Sequence, residues 1–187
     1  MDGRRFLGDK AGVSKDLPID SVVDDIIDAL RSQARMVLQA PPGAGKTTRV
    51  PLAILQSGIC DGKILILEPR RIATRTAAER MADTLGQPVG QTVGYRMRGE
   101  SKTGPNTRIE VLTEGILTRM IQDDPELSGV SCILFDEFHE RSLAADLGLA
   151  LTWEVRQALR DDLMIGVMSA TLDAKPVAAL LEDAPVI

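Results

Sequence analysis

The stretch that most constrains the fold runs from Met36 to Thr48. Met36-Val37-Leu38-Gln39-Ala40 is a short, mainly apolar run, stopped by Pro41-Pro42-Gly43 and followed by Ala44-Gly45-Lys46-Thr47-Thr48. An apolar run closed by Pro and Gly predicts a buried strand entering a turn. A helix is expected from about Gly45, with Pro51 close enough to its start to be tolerated with a kink. Strand, glycine-rich loop and helix in that order make a cradle for phosphate. Glycine lets backbone N–H groups wrap an oxyanion, and the helix adds its positive terminus. Ala40 stands where the common pattern has its first glycine. Lys46 is the residue to neutralise β- and γ-phosphates, and the Thr47 hydroxyl is suited to bind Mg²⁺. Gly43, Ala44, Gly45 and Thr48 complete the expected cradle.

The rest of the chain repeats that alternation. Ile19 to Leu30 recur at helical spacing after an Asp20 or Ser21 cap. Ile64-Leu65-Ile66-Leu67 reads as a second buried strand, closed by Glu68-Pro69, and residues 71–85 as a helix ending at Gly86. Val93–Met97 and Arg108–Leu112 are expected as shorter strands around a Gly/Pro loop. Helices are expected at 113–122, capped by Thr113, and at 143–160, with strands at 132–135 and 163–168 and a last short helix from about Asp173. Near-continuous apolar strands separated by helices predict an α/β fold, a mainly parallel sheet covered on both faces. Such sheets bind ligands beyond the carboxyl ends of their strands. The chemically loaded residues here all follow strand ends.

The clearest of these is Asp136-Glu137, directly after the strand of 132–135. Asp136 is placed to hold Mg²⁺ through water, and Glu137 to polarise a water attacking a γ-phosphate. His139, the one histidine in the chain, falls three residues after Asp136 and is expected to couple the site to neighbouring elements.

Composition narrows the partners. The net charge of −5 excludes a protein basic over its whole surface. Yet residues 63–119 carry 10 basic against 6 acidic side chains, while 120–187 carry 4 against 13. A local positive zone suits contact with phosphate backbones on one face. Aromatics are only 3% of residues, so binding by base stacking is not expected, and Tyr95 and Trp153 are assigned to core packing. Cys60 and Cys132 offer neither a metal spacing nor a disulfide framework and fit a reducing cytoplasm. No apolar run reaches the ~18 residues of a membrane span. Arg4-Arg5 lacks the apolar stretch of an export signal, so residues 1–17 are expected to be a disordered leader and 18–187 a single domain.

Gly43–Thr48, Pro69-Arg70-Arg71, Thr113-Glu114-Gly115-Ile116-Leu117, Asp136-Glu137-Phe138-His139-Glu140-Arg141 and Ser169-Ala170-Thr171 occur in that order. Together they resemble motifs I, Ia, Ib, II and III of superfamily 2 helicases of the DEAH-box branch, over about residues 18–187. The resemblance implies a P-loop NTPase, RecA-like three-layer sandwich. It implies ATP with Mg²⁺ as cofactors and single-stranded RNA or DNA held through its backbone by Arg70, Arg71 and Thr113. Arg80 resembles the family's adenine-stacking arginine. Ser169 and Thr171 resemble the motif that couples nucleotide state to lobe movement, a role compatible with capping the next helix.

The family's finger arginines belong to a second RecA-like lobe. The implied unit is therefore a monomeric first lobe that binds nucleotide but turns it over weakly alone, since such an arginine is worth about 10³–10⁵ in rate. Two other readings remain at this point: a different P-loop enzyme, such as a kinase or transport ATPase, and a non-enzymatic nucleotide-sensing or nucleic-acid-binding module.

Overall fold

The computed structural model describes residues 17–171 and 174–187. The expected leader at 1–16 and the helix start at Asp173 lie outside them. A seven-stranded sheet carries the fold, in the order β1 (Arg35–Gln39), β7 (Met164–Ser169), β6 (Val130–Phe135), β2 (Lys63–Glu68), β5 (Ile109–Thr113), β3 (Val93–Met97) and β4 (Glu100–Lys102). Every pairing is parallel except β3 with β4. Helices α1 (Val23–Gln33), α2 (Lys46–Ser57) and α3 (Arg71–Thr84) cover one face. Helices α4 (Glu114–Asp123), α5 (Leu143–Ala158) and α6 (Ala174–Leu180) cover the other. The three-layer α/β arrangement is the one expected.

Successive side chains of a strand point to opposite faces, and the apolar runs exploit this directly. Ile64, Ile66, Cys132 and Leu134 pack against α1–α3, while Leu65, Leu67, Ile133 and Phe135 pack against α4–α6. That is why the strands read as continuous apolar stretches with no polar alternation. The outer edge of β1 is covered by the end of the chain: Val37 N–H donates to the Pro185 carbonyl at 2.8 Å, and Gln39 N–H to the Ile187 carbonyl at 2.8 Å. Among the described residues no helix is long and apolar enough to cross a membrane.

Four local expectations need correction. The first helix is two elements, a 3-10 turn over Pro18–Val22 and then α1. Asp20 does not cap α1; its carboxylate accepts from Leu17 N–H at 2.9 Å and pairs with Arg49 at 2.9 Å. Thr113 does occupy the N-cap of α4, but its side chain makes no capping hydrogen bond. The segment after Met97, expected as loop, forms β4, a short antiparallel return that pairs Tyr95 with Lys102. A three-residue polar strand carries no periodic apolar signal, so its pairing depends on β3 alone.

That pairing rests on close backbone approach at Gly94, where an added Cβ would lie 2.5 Å from the Lys102 carbonyl oxygen. Gly94→Ala is expected to push the β3–β4 hairpin open and cost about 1–3 kcal/mol, the usual range for overpacking. Urea denaturation should show the loss, and amide exchange should show it concentrated in 100–102.

Candidate functional site

The carboxyl ends of the parallel strands lie side by side, which brings distant stretches of sequence to one edge. Gln39 pairs with Ser169, Leu67 with Phe135, and Glu68 with Thr113. From this edge the chain leaves β1 into the loop of 40–45. Its first N–H, at Ala40, donates to the Ser169 carbonyl at 3.1 Å. Gly45 has φ 98°, and a side chain there would also strike Leu17 at 2.7 Å, so two constraints demand glycine. Ala44 is held from outside by Ile19 N–H, which donates to its carbonyl at 3.2 Å. Lys46 is buried, and its Nζ donates to the carbonyls of Ala40 at 2.8 Å and Pro41 at 3.3 Å. A cation is thereby held inside the loop, beside the N-terminus of α2.

The Thr47 hydroxyl at the start of α2 hydrogen-bonds the Oδ2 carboxylate oxygen of Asp136. Asp136 continues the sheet, with its N–H donating to the Leu67 carbonyl at 3.0 Å, and is almost fully buried. The chain then turns sharply. Glu137 has φ 49° and precedes a 3-10 turn over Phe138–Glu140. Phe138 is buried, edge-on to Phe135 with ring centres 6.3 Å apart. His139 lies between two motifs: Nε2 is 3.3 Å from Glu137 Oε2, and Nδ1 accepts from Ala170 N–H at 3.4 Å. Those two contacts require the tautomer protonated at Nε2.

A further carboxylate sits behind this pair. Glu68, at the end of β2, is 2% exposed. Burial first, then the charge of Asp136 and a hydrogen bond with it, push the Glu68 carboxyl up to about 9. At neutral pH Glu68 is the protonated partner and donates to Asp136. Two buried carboxyl groups therefore share one negative charge.

A groove of about 940 Å³ opens in front of these groups, lined by Thr47, Thr48, Arg70, Arg80, Glu137 and Glu140, with Arg71 at its side. Arg70 pairs with Glu140 at 2.6 Å. Arg71 donates to the Arg98 carbonyl at 2.8 Å and faces Glu100 at 3.7 Å. Glu100 is also held by Arg75 at 2.5 Å and by the Tyr95 hydroxyl at 2.7 Å. This network ties the β3–β4 hairpin to α3.

The structure thus brings Lys46, Thr47, Asp136, Glu137, His139 and the 169–170 strand end together, with Gly43, Ala44, Gly45 and Thr48 framing them. Arg70, Arg71 and Arg80 line the adjoining groove. Thr113 stands at the neighbouring strand end opposite Glu68, and its neighbour Glu114 accepts from the Ser142 hydroxyl at 2.5 Å. Ser169 is buried and Thr171 exposed. A cap by Thr171 falls on residues that are not described. Tyr95 is buried as expected but also polar in its role, through Glu100. Sequence reasoning passed over Glu68, Glu100 and Glu140. The signal for Glu68 was available: an acid ending an otherwise apolar strand, as Asp136 follows 132–135.

The sequence profile of the DEAD/DEAH box helicases matches residues 21–180, which takes in all five stretches gathered at this edge. The chain belongs to the DEAD/DEAH box helicase family. It is 54% identical over 171 residues to the Escherichia coli (strain K12) protein named ATP-dependent RNA helicase HrpB, and covers 91% of this chain but 21% of that one. The Borreliella burgdorferi protein named ATP-dependent RNA helicase HrpA is 39% identical over 172 residues, with the same coverages. The crystal structure of the E. coli DExH-box NTPase HrpB superposes with a TM-score of 0.90 at 52% identity, over 95% of this chain and 22% of that chain. A second crystal structure, of the E. coli DEAH/RHA helicase HrpB, gives 0.88. The chain therefore spans about a fifth of the length of these relatives.

The shared proton makes this helicase domain's stability depend on pH. Glu68 keeps a proton in the folded chain that the unfolded chain, with its ordinary value of 4.5, has already lost. Between 4.5 and about 9, stability must fall as pH rises. In Glu68→Gln that slope is removed, so the variant should gain stability relative to the parent between about pH 5.5 and about pH 8.5. Urea midpoints at the two pH values in metal-free buffer measure it; a difference that stays constant contradicts the protonated assignment.

Proposed function

We propose that this chain is the nucleotide-binding RecA-like lobe of an ATP-dependent helicase that moves along single-stranded nucleic acid, RNA by preference. The observation that carries the reading is the meeting of Thr47 and Asp136, 89 positions apart, beside a loop-held lysine. A hydroxyl and a carboxylate oxygen are hard donors of the kind Mg²⁺ takes alongside substrate phosphates. Bound between Thr47 and Asp136, the ion would offset charge on the β- and γ-phosphates.

The chain's own groups would do the rest. Backbone N–H groups of 43–48 and the Lys46 ammonium would hold the phosphates, and Arg80 would cover the base from α3. Glu137 would orient the attacking water and take up its proton as the bond to phosphorus forms. His139, reaching from Glu137 to the backbone of Ala170, would pass a change at the site to β7 and so to Ser169 and Thr171. Arg70, Arg71 and Thr113 would hold the strand by its sugar–phosphate backbone; forked guanidiniums suit phosphate oxygens. We place the finger arginines on a second RecA-like lobe of the full-length protein, acting as a monomer in the cytoplasm. Residues 18–187 alone then hydrolyse feebly.

Lys46→Ala is expected to abolish Mg·ATP binding by this domain while leaving its circular dichroism spectrum unchanged; calorimetry that finds parental affinity defeats the phosphate assignment. In the full-length protein, Glu137→Gln should keep ATP binding and lower strand-stimulated hydrolysis by about 10²–10⁴, the usual worth of a positioned base. A non-enzymatic module would show no such loss, and a kinase or transporter would show no stimulation by single-stranded RNA.

A further inference from the structure

Arg70 and Glu140 form an ion pair that joins the two halves of the proposed reaction. Arg70 is the residue just before α3, expected on the strand track, and its side chain is 72% exposed. Glu140 closes the 3-10 turn that Glu137 precedes, and its N–H donates to the Glu137 carbonyl at 2.9 Å. The two meet at 2.6 Å at the mouth of the groove. Nothing in the nucleotide-holding role of the turn calls for a guanidinium on its outer side.

We propose that Glu140 is a positioning residue through which strand occupancy is relayed to Glu137: its carboxylate clamps Arg70 in the strand-free lobe, and a strand phosphate competes for the same guanidinium. This rests on the reading of the chain as a strand-coupled ATPase. An exposed pair is weak, because water screens it and ordering both side chains opposes it. A phosphate presents more acceptor oxygens to the same fork and displaces the carboxylate. Once released, Glu140 no longer pins the far end of a turn only three residues long. Just before its near end stands Glu137, held in the left-handed region at φ 49°. The turn shifts about buried Phe138, which stays packed on Phe135, so the displacement falls on Glu137 and His139 rather than on the core.

The test uses the full-length protein with oligouridine as the strand. ATP turnover with and without strand, and strand affinity, are measured for the parent, Glu140→Gln, Arg70→Gln and the double variant. Glu140→Gln is expected to tighten strand binding by about two- to fivefold, the range an exposed pair allows. It should also raise strand-free turnover, so that the ratio of stimulated to strand-free turnover falls. Arg70→Gln should weaken the strand, and in its background Glu140→Gln should no longer tighten it. An unchanged ratio with unchanged strand affinity overturns the relay, including the case where both rates drop together, which is what a merely structural turn would give. Tightening that persists without Arg70 overturns it as well. A parent protein that neither binds oligouridine nor responds to it sinks the helicase reading first, and the relay with it.

Discussion

The contact between Thr47 and Asp136 closes the site, and the strand order explains why it must be engineered into the loop. β7 lies between β1 and β6, so the loop leaving β1 has to lean across two strand spacings, about 10 Å, to reach the end of β6. The lean begins at Ala40, whose N–H is taken by Ser169 at the end of the intervening strand. It is completed when α2 starts with Thr47 facing Asp136. The left-handed backbone at Gly43 and Gly45 makes the excursion possible, and Leu17 and Ile19 pack where a side chain on Gly45 would stand. The parallel sheet, the bare glycines and the 3-10 entry turn thus all serve one separation.

Much of this was legible in the sequence because it is local or periodic. Ile64–Leu67 and Cys132–Phe135 announce doubly covered strands, and a Gly-rich loop with Lys46-Thr47 after an apolar run announces a cradle. Order of motifs along the chain was enough for the family resemblance. Pairing between side chains on different elements was not legible. Nothing near Arg70 in sequence points to Glu140, and nothing near Glu68 points to Asp136; both meetings follow from β2 lying next to β6, an order that a list of strands does not reveal. β4 was missed for a related reason: Glu100-Ser101-Lys102 is polar and short, and becomes a strand only because β3 offers it an edge. Thr113 shows the opposite error, where a residue type suited to capping occupies the cap position without using its hydroxyl there.

The site concentrates acid where the proposed substrate is itself a polyanion. Glu68, Asp136, Glu137 and Glu140 sit close enough that the charges of the other three all raise the Glu68 carboxyl. Each is dealt with differently. Glu68 keeps its proton, Asp136 takes the Thr47 hydroxyl, Glu137 faces His139, and Glu140 faces Arg70. Buried Glu68 and Asp136 lose a charge between them, as desolvation requires. The less buried Glu137 and Glu140 instead face His139 and Arg70. Lys46, closed inside the loop, is the one described cation that the site itself encloses. A triphosphate entering such a place would gain from a companion cation, which is the electrostatic argument for the Mg²⁺ proposed above.

The turn over Phe138–Glu140 is where these demands conflict. Its flanking residues, Glu137 and Arg141, both have φ 49°, a conformation that non-glycine residues adopt at a cost of about 1–3 kcal/mol when sparsely populated. Such backbone survives only if its surroundings hold it. Phe138 supplies the firm anchor, buried against Phe135 in an edge-on contact worth about 0.5–1.5 kcal/mol beyond its burial. His139 and Glu140 supply weaker ones, through a 3.4 Å bond to Ala170 and a partly exposed ion pair. One strong anchor at the first position followed by two weak ones is the arrangement of a pivot: the aromatic fixes where the turn is, and the polar contacts after it set how it is tilted. Glu137 immediately precedes that turn and its carboxylate lies 3.3 Å from His139, which bonds the residue after β7, while Glu140 at the other end of the turn pairs with Arg70 before α3. In the proposed relay, a change at either partner would reach the same carboxylate while Phe138 stays seated on Phe135.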